Sequence, residues 1–476
     1  MSALPLVAEI SPPPKIPTAL QVLRDLPGML LLESTLQRGS SGRYSFLTAD
    51  PFCWFEVQTP RFGEDPFANV AADLAQWQAD SQPDLPPFQG GAAGLIGYEL
   101  AAAWERLPFA FVDEFQLPQL EIGIYDWVIA WDHDQQRAWI ISHGFPAMGP
   151  QQTDRAATRL QSVKDRLNAA PAVSEPTAPR DGFECVDVDS QQRQVLQGHA
   201  GFYSDFSRAQ YLRTVERVIE YTRAGDIFQA NLSQRILHPL AAEDADPVSL
   251  YCRLRESNPA PFAGYFQNED WAVLSSSPER FVRVWPDGRV ETRPIKGTRQ
   301  RHAFPEADLF TRDELQASGK DCAENVMIVD LLRNDLSRVC SPGSFTIPAL
   351  CRTEMFETVQ HLVSIIRAQL ADEYSLWDLL RATIPGGSIT GAPKIRAMEI
   401  IAELEPTVRG PYCGNLFYMG FDGQFDSNIL IRTLIQRRGW VQCSAGGGIV
   451  AQSDPVSEYE ETLHKAAGMM AALTQK

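Results

Sequence analysis

The sequence predicts an α+β fold built on antiparallel sheets. Apolar segments come in pairs joined by short polar turns, such as 271–285 and 288–296 on either side of the turn PDGR. Helical periodicity is found elsewhere, at about 321–336, 394–404 and 455–473. Because strands do not alternate strictly with helices, a doubly wound parallel sheet is disfavoured.

The composition is that of an acidic globular protein. Apolar residues make up 44% and charged residues 21% of the 476 residues, which suits a sizeable core. The net charge of −18 makes nucleic acid and anionic membranes poor partners, so an anionic substrate needs a local basic group or a metal ion. We expect neither a secretion signal nor a membrane span. Eight scattered cysteines without a Cys-x-x-Cys pair indicate reduced thiols in the cytoplasm and no zinc site.

A change of composition divides the chain. Residues 144–195 include the proline-rich stretch AAPAVSEPTAPRDG, and we predict a surface linker there. It would separate an N-terminal subdomain at 1–143 from a C-terminal domain at 196–476. In the second domain, Ser207 and Gln210 form a capping box that predicts the start of a helix, and DIFQANLSQRIL then alternates as a strand does.

Two carboxylate pairs are spaced three residues apart on predicted helices: Asp321 with Glu324, and Glu458 with Glu461. This spacing puts each pair on one helix face. If the two faces meet, they form an all-oxygen site of the kind that Mg²⁺ prefers. The alternative is that all four are solvated acidic residues, which are common in first helical turns.

Two glycine-rich stretches are candidate ligand-binding loops. IPGGSITGAPKIRAMEII (384–401) contains Thr390 and leads into a helix whose free N–H groups suit an anion, with Lys394 adding charge. SAGGGIV (444–450) allows the backbone to approach a ligand closely. A capped turn and a tight bend explain the same residues.

Four single residues are also candidates. Arg432 is a charge within the apolar segment NILIRTLI, and it needs a carboxylate partner from a substrate or from the protein. His361 in QHLVSII fits a core position as well as a catalytic one. Glu279 and Lys296, on opposite arms of the predicted hairpin, fit a general acid/base and an amine nucleophile, or two exposed charges.

Together these stretches resemble the chorismate-utilising enzymes, the family of anthranilate synthase component I. The matching segments, in the family's order, are GDIFQANLSQR, SSSPERF, RPIKGT, AENVMIVDLLRND, HLVS, PGGSITGAPKIRAMEII, YCG, DSNILIRT and GGGIVAQSDPVSEYEETLHKA. Weaker matches near the N-terminus are LLES, GRYSFL and GLIGYEL. The resemblance implies an anthranilate synthase component I-like sandwich of two antiparallel β-sheets with helices on the outside, and a chorismate-binding catalytic domain at 196–476.

The resemblance also assigns roles to residues. It implies Mg²⁺ held by Glu324 and Glu461 against the ring carboxylate of chorismate, with Asp321 and Glu458 acting indirectly or through water. The substrate-binding residues that it implies are Arg432, Tyr412, Lys394, Thr390, Gln229, Gly446 and Gly447. The catalytic residues that it implies are Lys296, Glu279, His361 and Thr298.

One position within the family divides the chemistry. Anthranilate synthases have alanine in PIAGT, where this chain has Lys296. The resemblance then implies that Lys296 attacks C2 of chorismate, that the C4 hydroxyl leaves with a proton from Glu279, and that ammonia adds at C4 and expels the lysine. The implied product is 4-amino-4-deoxychorismate, the precursor of p-aminobenzoate and folate. Gln229 argues against isochorismate and salicylate synthases, which have a lysine base there.

Two alternatives stay open: an anthranilate synthase component I, and a non-catalytic tryptophan-binding or scaffolding subunit. No cysteine lies in a glutaminase-like nucleophile turn, so the resemblance implies a separate glutamine amidotransferase subunit that supplies ammonia.

Tryptophan is a further ligand that the resemblance suggests. Ser34 in LLES, and Asn258, Pro259 and Phe262 in NPAPF, lie where family members bind tryptophan, although NPAPF departs from the commoner NPSPY. A core strand and turn explain these residues equally well.

Overall fold

The computed structural model describes residues 4–36, 42–110, 112–169, 193–241, 244–300, 318–355 and 359–474. For residues 298–300, 320, 355, 359 and 361 it describes the backbone alone. Within these limits the chain forms two large sheets, and every pairing between their named strands is antiparallel. None of the helices described has both the length and the apolar character that a membrane crossing needs.

The strands are β1 (Leu6–Ile10), β2 (Met29–Glu33), β3 (Tyr44–Thr48), β4 (Cys53–Val57), β5 (Gly91–Ile96), β6 (Leu120–Tyr125), β7 (Trp127–Asp132), β8 (Arg137–Ser142), β9 (Gln194–Val195), β10 (Tyr203–Ser204), β11 (Gln229–Pro239), β12 (Phe262–Asn268), β13 (Trp271–Ser277), β14 (Arg280–Val284), β15 (Arg289–Thr292), β16 (Ile295–Gln300), β17 (Thr346–Met355), β18 (Val359–Gln369), β19 (Gly391–Ala392), β20 (Asn415–Gly420), β21 (Phe425–Asn428), β22 (Thr433–Arg437) and β23 (Trp440–Ile449). The helices are α1 (Ile16–Leu23), α2 (Ala68–Leu74), α3 (Pro150–Asn168), α4 (Arg208–Ala224), α5 (Pro247–Ser257), α6 (Gly319–Ser337), α7 (Leu376–Thr383), α8 (Lys394–Leu404) and α9 (Pro455–Thr474).

The two sheets draw strands from all along the chain. The first sheet has the order β1-β8-β7-β3-β2-β12-β13-β22-β23-β11-β10-β9, and β19 pairs with β11. The second has the order β16-β18-β15-β14-β21-β20-β5-β6-β4, and β17 pairs with β18. Because the segments 1–143 and 196–476 both supply strands to both sheets, the sheet topology shows no boundary between them, and the division into two domains stays a prediction.

A shared apolar core holds the sheets together. Leu30 and Phe266 from the first sheet pack with Leu95 and Leu416 from the second, and all four side chains are fully buried. Helices α1, α3, α5 and α9 contribute to the core on the outer face of the first sheet, and α2, α6, α7 and α8 to the core on the outer face of the second. The predicted sandwich of antiparallel sheets with external helices is therefore confirmed.

The predicted linker at 144–195 is wrong in its first half. Residues 150–168 form α3, which begins at Pro150, and residues 170–192 lie outside the described part of the chain. Arg159 of α3 lies 2.6 Å from Asp50 and 3.6 Å from the buried Asp126, so two ion pairs fix the helix to the first sheet. Helix α3 was not predicted from the sequence because its composition is polar, and only one narrow face of the helix is buried.

The long predicted strands and the hairpin also need correction. The segment 271–285 is two strands, since β13 lies in the first sheet and β14 in the second. PDGR does join β14 to β15, but the strand ends at Thr292, and Lys296 lies beyond Pro294 in β16, which pairs with β18. Glu279 and Lys296 are therefore not on two arms of one hairpin.

Candidate active site

Two chain crossings between the sheets create the centre of the site. The chain leaves the first sheet after β13 and enters the second at β14, and Glu279 lies at that crossing. It returns between β21 and β22, and Arg432 ends that second crossing. The crossings are hydrogen-bonded to each other, because the Ile429 N–H donates to the Glu279 carbonyl at 3.1 Å and the Ser276 N–H donates to the Arg432 carbonyl at 3.1 Å.

Ser388 connects Glu279 to Lys296. The Ser388 hydroxyl donates a hydrogen bond to Glu279 Oε1 at 3.0 Å, and the Ser388 carbonyl accepts one from Lys296 Nζ at 3.3 Å. Glu279 is only 5% exposed, and this burial raises its pKa from 4.5 to about 7, against the opposing effects of Ser388 and Lys296. A carboxyl group with this pKa exchanges a proton near neutral pH, as a general acid or base must.

Lys296 has the environment of a nucleophilic amine. Burial lowers its pKa, and the nearby Lys465 lowers it further, while Glu324, Glu279 and Glu461 act in the opposite direction. Lys296 forms no ion pair with any residue in the described ranges. A buried ammonium without a direct carboxylate partner gives up its proton more readily, and the neutral amine is the nucleophilic form.

The predicted carboxylates approach Lys296 from two helices. Glu324 lies on α6, which packs against β16 and β18, and among the carboxylates it has the largest electrostatic effect on Lys296. Glu458 and Glu461 of α9 lie over Gly447: a methyl group added there would be 3.0 Å from Glu458 Oε2 and 3.6 Å from Glu461 Oε1.

Other contacts hold these carboxylates in place. The Ser453 hydroxyl donates to Glu458 Oε1 at 2.6 Å. Lys465 Nζ lies 2.6 Å from Glu461 Oε1 and donates to the Gly446 carbonyl at 2.8 Å. Asp321 lies in the first turn of α6, where its N–H donates to the Ser318 hydroxyl.

These carboxylates fit Mg²⁺ as one part of its coordination shell. In the described ranges, no three His, Cys, Asp or Glu side chains are close enough to hold a metal ion by themselves. Mg²⁺ is commonly held by one or two carboxylates, with water and substrate oxygens completing the octahedron. The space over Gly447, bordered by two carboxylates, is consistent with that mode of binding.

Arg432 lies just before β22, not within an apolar strand as the sequence suggested. Its backbone has a φ of 51°, an unusual value for a residue with a side chain. Burial lowers the pKa of its guanidinium, and no ion pair joins it to a described residue. A partly buried guanidinium in this state suits a carboxylate from a substrate.

The other predicted substrate-binding residues differ in their surroundings. Gln229 is fully buried beside Gly448, and neither polar atom of its amide has a partner among the described residues. The Thr390 hydroxyl donates to the Gly386 carbonyl at 3.0 Å. Tyr412 is buried with its ring 5.7 Å from the guanidinium of Arg409.

Lys394 is already paired within the protein. Its Nζ lies 2.7 Å from Asp335 Oδ2 and donates to the Thr383 carbonyl at 3.0 Å. The predicted contact of Lys394 with substrate stays untested, but its charge is neutralised where it lies.

Thr298 and His361 are opposite each other in the antiparallel pairing of β16 with β18. Their side chains lie outside the described part of the structure, so their catalytic roles stay predictions.

One of the residues predicted for tryptophan, Phe262, lines a cavity between the sheets. It has a volume of about 450 Å³, and its lining includes Glu33, Arg43, Pro261, Phe262 and Arg280. The hydroxyl of the buried Ser34 donates to the Leu36 carbonyl, and Asn258 follows α5, where its carbonyl accepts from Ser276. Of the predicted set, only Phe262 lines this cavity.

Sequence reasoning missed two residues of the site. Ser388 was considered only as part of an anion-binding loop, and nothing in the sequence links it to Glu279. Lys465 has a signal in the sequence, because it follows Glu461 by four residues on the same helix, the spacing of an ion pair.

The fold and the residues of this site are those expected of a chorismate-binding class of proteins. The family model described as chorismate binding enzyme matches residues 32–471. The chain therefore belongs to the chorismate binding enzyme family, as its sequence motifs indicated.

Individual relatives come from two branches of this family. Aminodeoxychorismate synthase component 1 from Salmonella typhimurium is 40% identical over 453 residues, which cover 92% of each chain. Anthranilate synthase component 1 from Streptomyces coelicolor is 40% identical over 445 residues, which cover 93% of this chain and 83% of that protein. The crystal structure of anthranilate synthase component I from Streptococcus pneumoniae has a TM-score of 0.74 and 28% identity, covering 91% of this chain and 94% of that one.

Proposed function

We propose that this protein aminates chorismate at C4 and releases 4-amino-4-deoxychorismate. The observation that carries the proposal is Lys296: a partly buried amine with a lowered pKa and no ion-pair partner among the described residues, connected through Ser388 to a carboxyl group with a pKa of about 7. The similarity to the Salmonella protein over most of both chains supports it. The overall identity does not separate the two branches, because the Streptomyces relative is 40% identical as well.

Lys296 and Glu279 divide the chemistry between them. The neutral Lys296 amine attacks C2 of chorismate, the two ring double bonds shift, and the C4 hydroxyl leaves as water with the proton of Glu279. Ammonia then adds at C4, the double bonds shift back, and the bond between C2 and Lys296 breaks. Glu279, now ionised, accepts the proton that the added nitrogen loses, and the Lys296 amine leaves for the next turnover. Arg432 binds a substrate carboxylate throughout.

Mg²⁺ would be held by Glu324 and Glu461, with Glu458 and Asp321 acting through water or hydrogen bonds. When bound, it would supply positive charge against the ring carboxylate of chorismate. Gln229 would contact the substrate beside the backbone of Gly446 and Gly447.

We infer that ammonia reaches the site from a separate glutamine amidotransferase subunit. The component 1 relatives carry names that imply a second component. The seven cysteines in the described ranges are free thiols, which is consistent with the cytoplasm. Tryptophan in the cavity beside Phe262 is a secondary proposal, and a rise in melting temperature on adding tryptophan would support it.

The test is product analysis with free ammonium in place of the partner. Purified wild-type protein and Lys296→Ala are incubated with chorismate, Mg²⁺ and ammonium, and an aminodeoxychorismate lyase converts the intermediate to p-aminobenzoate. We expect p-aminobenzoate from the wild type and a loss on the order of 10³-fold in the variant, since no neighbouring group replaces the nucleophile. Anthranilate as the wild-type product would reject the proposal in favour of an anthranilate synthase. An unimpaired Lys296→Ala variant would reject Lys296 as the nucleophile.

A further inference from the structure

A buried ion pair lies next to the site without contacting Lys296 or Glu279. Glu405 follows α8, and its side chain is 4% exposed, while that of Arg409 is 3% exposed. Arg409 Nε donates to Glu405 Oε2 at 2.8 Å and Nη2 donates to Oε1 at 2.7 Å. The pairing is therefore bidentate, which fixes the orientation of the guanidinium as well as its position.

Both partners are also bound to their surroundings. Glu405 Oε1 accepts from the Ser233 N–H and from the Ser233 hydroxyl, each at 2.8 Å. The guanidinium carbon of Arg409 lies 4.6 Å from the ring centre of Tyr98 and 5.7 Å from that of Tyr412. Contacts on several sides leave the pair little freedom to move.

The remaining donors of Arg409 hold two backbone segments that border the site. Nη1 donates to the Ile389 carbonyl at 3.0 Å, and Nη2 donates to the Asn231 carbonyl at 2.6 Å. The Asn231 N–H in turn donates to the Thr390 carbonyl at 2.7 Å. Arg409 therefore fastens the segment 387–390 to β11, the strand that begins with Gln229.

We propose that Arg409, oriented by Glu405, is a positioning residue that fixes Ser388 against the Lys296 amine and the Glu279 carboxyl group. Ser388 immediately precedes Ile389, whose carbonyl Arg409 binds. Its hydroxyl and its carbonyl face the two reacting side chains. The inference rests on the proposed function, because it gives Arg409 a role in the same reaction.

The lysine variant tests this role most sharply. Arg409→Lys keeps the charge but cannot form a bidentate pair with Glu405 and also bind two carbonyl groups. We expect kcat to fall by about 10²-fold, the cost of displacing a catalytic group by about 1 Å. The KM for chorismate should change less than kcat, because the groups that Arg409 hydrogen-bonds, in Ile389, Asn231 and Glu405, are not among the predicted substrate-binding residues.

The pH profile separates positioning from general support of the fold. The hydrogen bond from Ser388 lowers the pKa of Glu279, so displacing Ser388 raises that pKa. Since Glu279 acts first as an acid, the alkaline limb of kcat/KM should move to higher pH in Arg409→Lys. Ser388→Ala, which removes the hydroxyl directly, should move it in the same direction. Unprotonated ammonia is held constant across the profile.

Arg437→Lys is the matched control. Arg437 also pairs with one carboxylate, Asp270 at 3.1 Å, and donates to two carbonyl groups, those of Phe115 and Gln116. It lies in the β22–β23 hairpin, away from Ser388. We expect Arg437→Lys to keep the wild-type kcat and pH profile even if its melting temperature falls.

Each outcome decides the proposal. Equal effects of Arg409→Lys and Arg437→Lys, or a lower kcat with an unmoved alkaline limb, would overturn the positioning role. If Arg409→Lys does not fold, Glu405→Gln replaces it in the test. The alkaline limb of kcat/KM must then also move to higher pH, although by less than we expect for Arg409→Lys. If the wild type converts chorismate to a product other than the amine, the proposed function fails. The alkaline limb of kcat/KM for that other reaction then still tests whether Arg409 positions Ser388 against Glu279.

Discussion

Lys296 and Lys394 are two partly buried lysines of one molecule that differ in their ion pairing. Burial is the main cause that lowers the pKa of both. Lys394 is held against Asp335 at 2.7 Å, whereas Lys296 donates to the Ser388 carbonyl and has no ion pair within the described ranges. A direct carboxylate partner keeps an ammonium charged, and its absence favours the neutral amine. We infer from this comparison that the missing ion pair, more than burial, distinguishes Lys296, the lysine that we propose as the nucleophile, from Lys394.

The largest effect that we predict from this comparison is on the free energy of unfolding. Lys394→Met leaves the Asp335 carboxylate buried without its partner, so we expect a loss of about 3–5 kcal/mol in the free energy of unfolding. Lys296→Met leaves no such charge, so its free energy of unfolding should change much less. Urea unfolding of both variants measures the difference. Similar losses in the two variants would contradict the assignment of Lys394 as the paired lysine.

The Lys394 pair also shows what a motif cannot reveal. The sequence placed Lys394 in a glycine-rich loop before a helix, which is a sound reason to expect an anion there. Its partner Asp335 comes 59 residues earlier on another helix. No local pattern records that contact, because it depends on how α6 and α8 pack.

Local signals predicted four helices well, namely α4, α6, α8 and α9. The capping box of Ser207 and Gln210 is present at the start of α4, and the Ser457 N–H donates to Asp454 as α9 begins. These signals work because the side chain and the backbone group that it satisfies are close in sequence. The three-residue spacing of Glu458 and Glu461 likewise predicted one shared helix face, and both carboxylates lie near Gly447.

The strands were predicted less accurately at the places that matter for function. The sequence showed 271–285 and NILIRTLI as two continuous apolar segments, but the chain changes sheet within each of them. Glu279 and Arg432 lie at those changes. Apolar alternation does not distinguish a strand that continues from one that crosses to a second sheet. Both residues were identified from their chemistry and from the family resemblance, without the geometry that positions them.

Glu279→Gln tests whether the carboxyl group near Lys296 destabilises the folded protein when it is ionised. The pKa of Glu279 is raised from 4.5 to about 7 in the folded protein. Its contribution to stability is therefore present below pH 4.5 and is lost as the pH rises through 7. The glutamine variant does not titrate, so it should gain about 3 kcal/mol relative to the wild type between pH 4 and 8.

Urea unfolding at several pH values measures that gain. Glu291→Gln is a useful control, because Glu291 is buried in the second sheet with Arg367 2.8 Å away. Removing that paired carboxylate should destabilise the protein. A gain for Glu279→Gln that does not grow with pH would show that the Glu279 carboxylate is stabilised in its ionised form.

Lys465→Met has the smallest expected effect on stability and sharpens the comparison most directly. Lys465 and Glu461 form a pair on α9 whose side chains are 41% and 51% exposed, so its loss should change the free energy of unfolding by less than about 0.5 kcal/mol. The positive charge of Lys465 nevertheless lowers the pKa of Lys296. Removing it raises that pKa, and the acid limb of the amination rate should move to higher pH.

The pH profile is measured at saturating Mg²⁺ and constant unprotonated ammonia, with Lys465→Arg as the control that keeps the charge. The arginine variant should keep the acid limb of the wild type, because the effect on Lys296 depends on charge and acts without direct contact. An unmoved limb in Lys465→Met would mean that Lys465 does not contribute to the pKa of Lys296. The contrast with Lys394 would then rest entirely on the missing carboxylate partner.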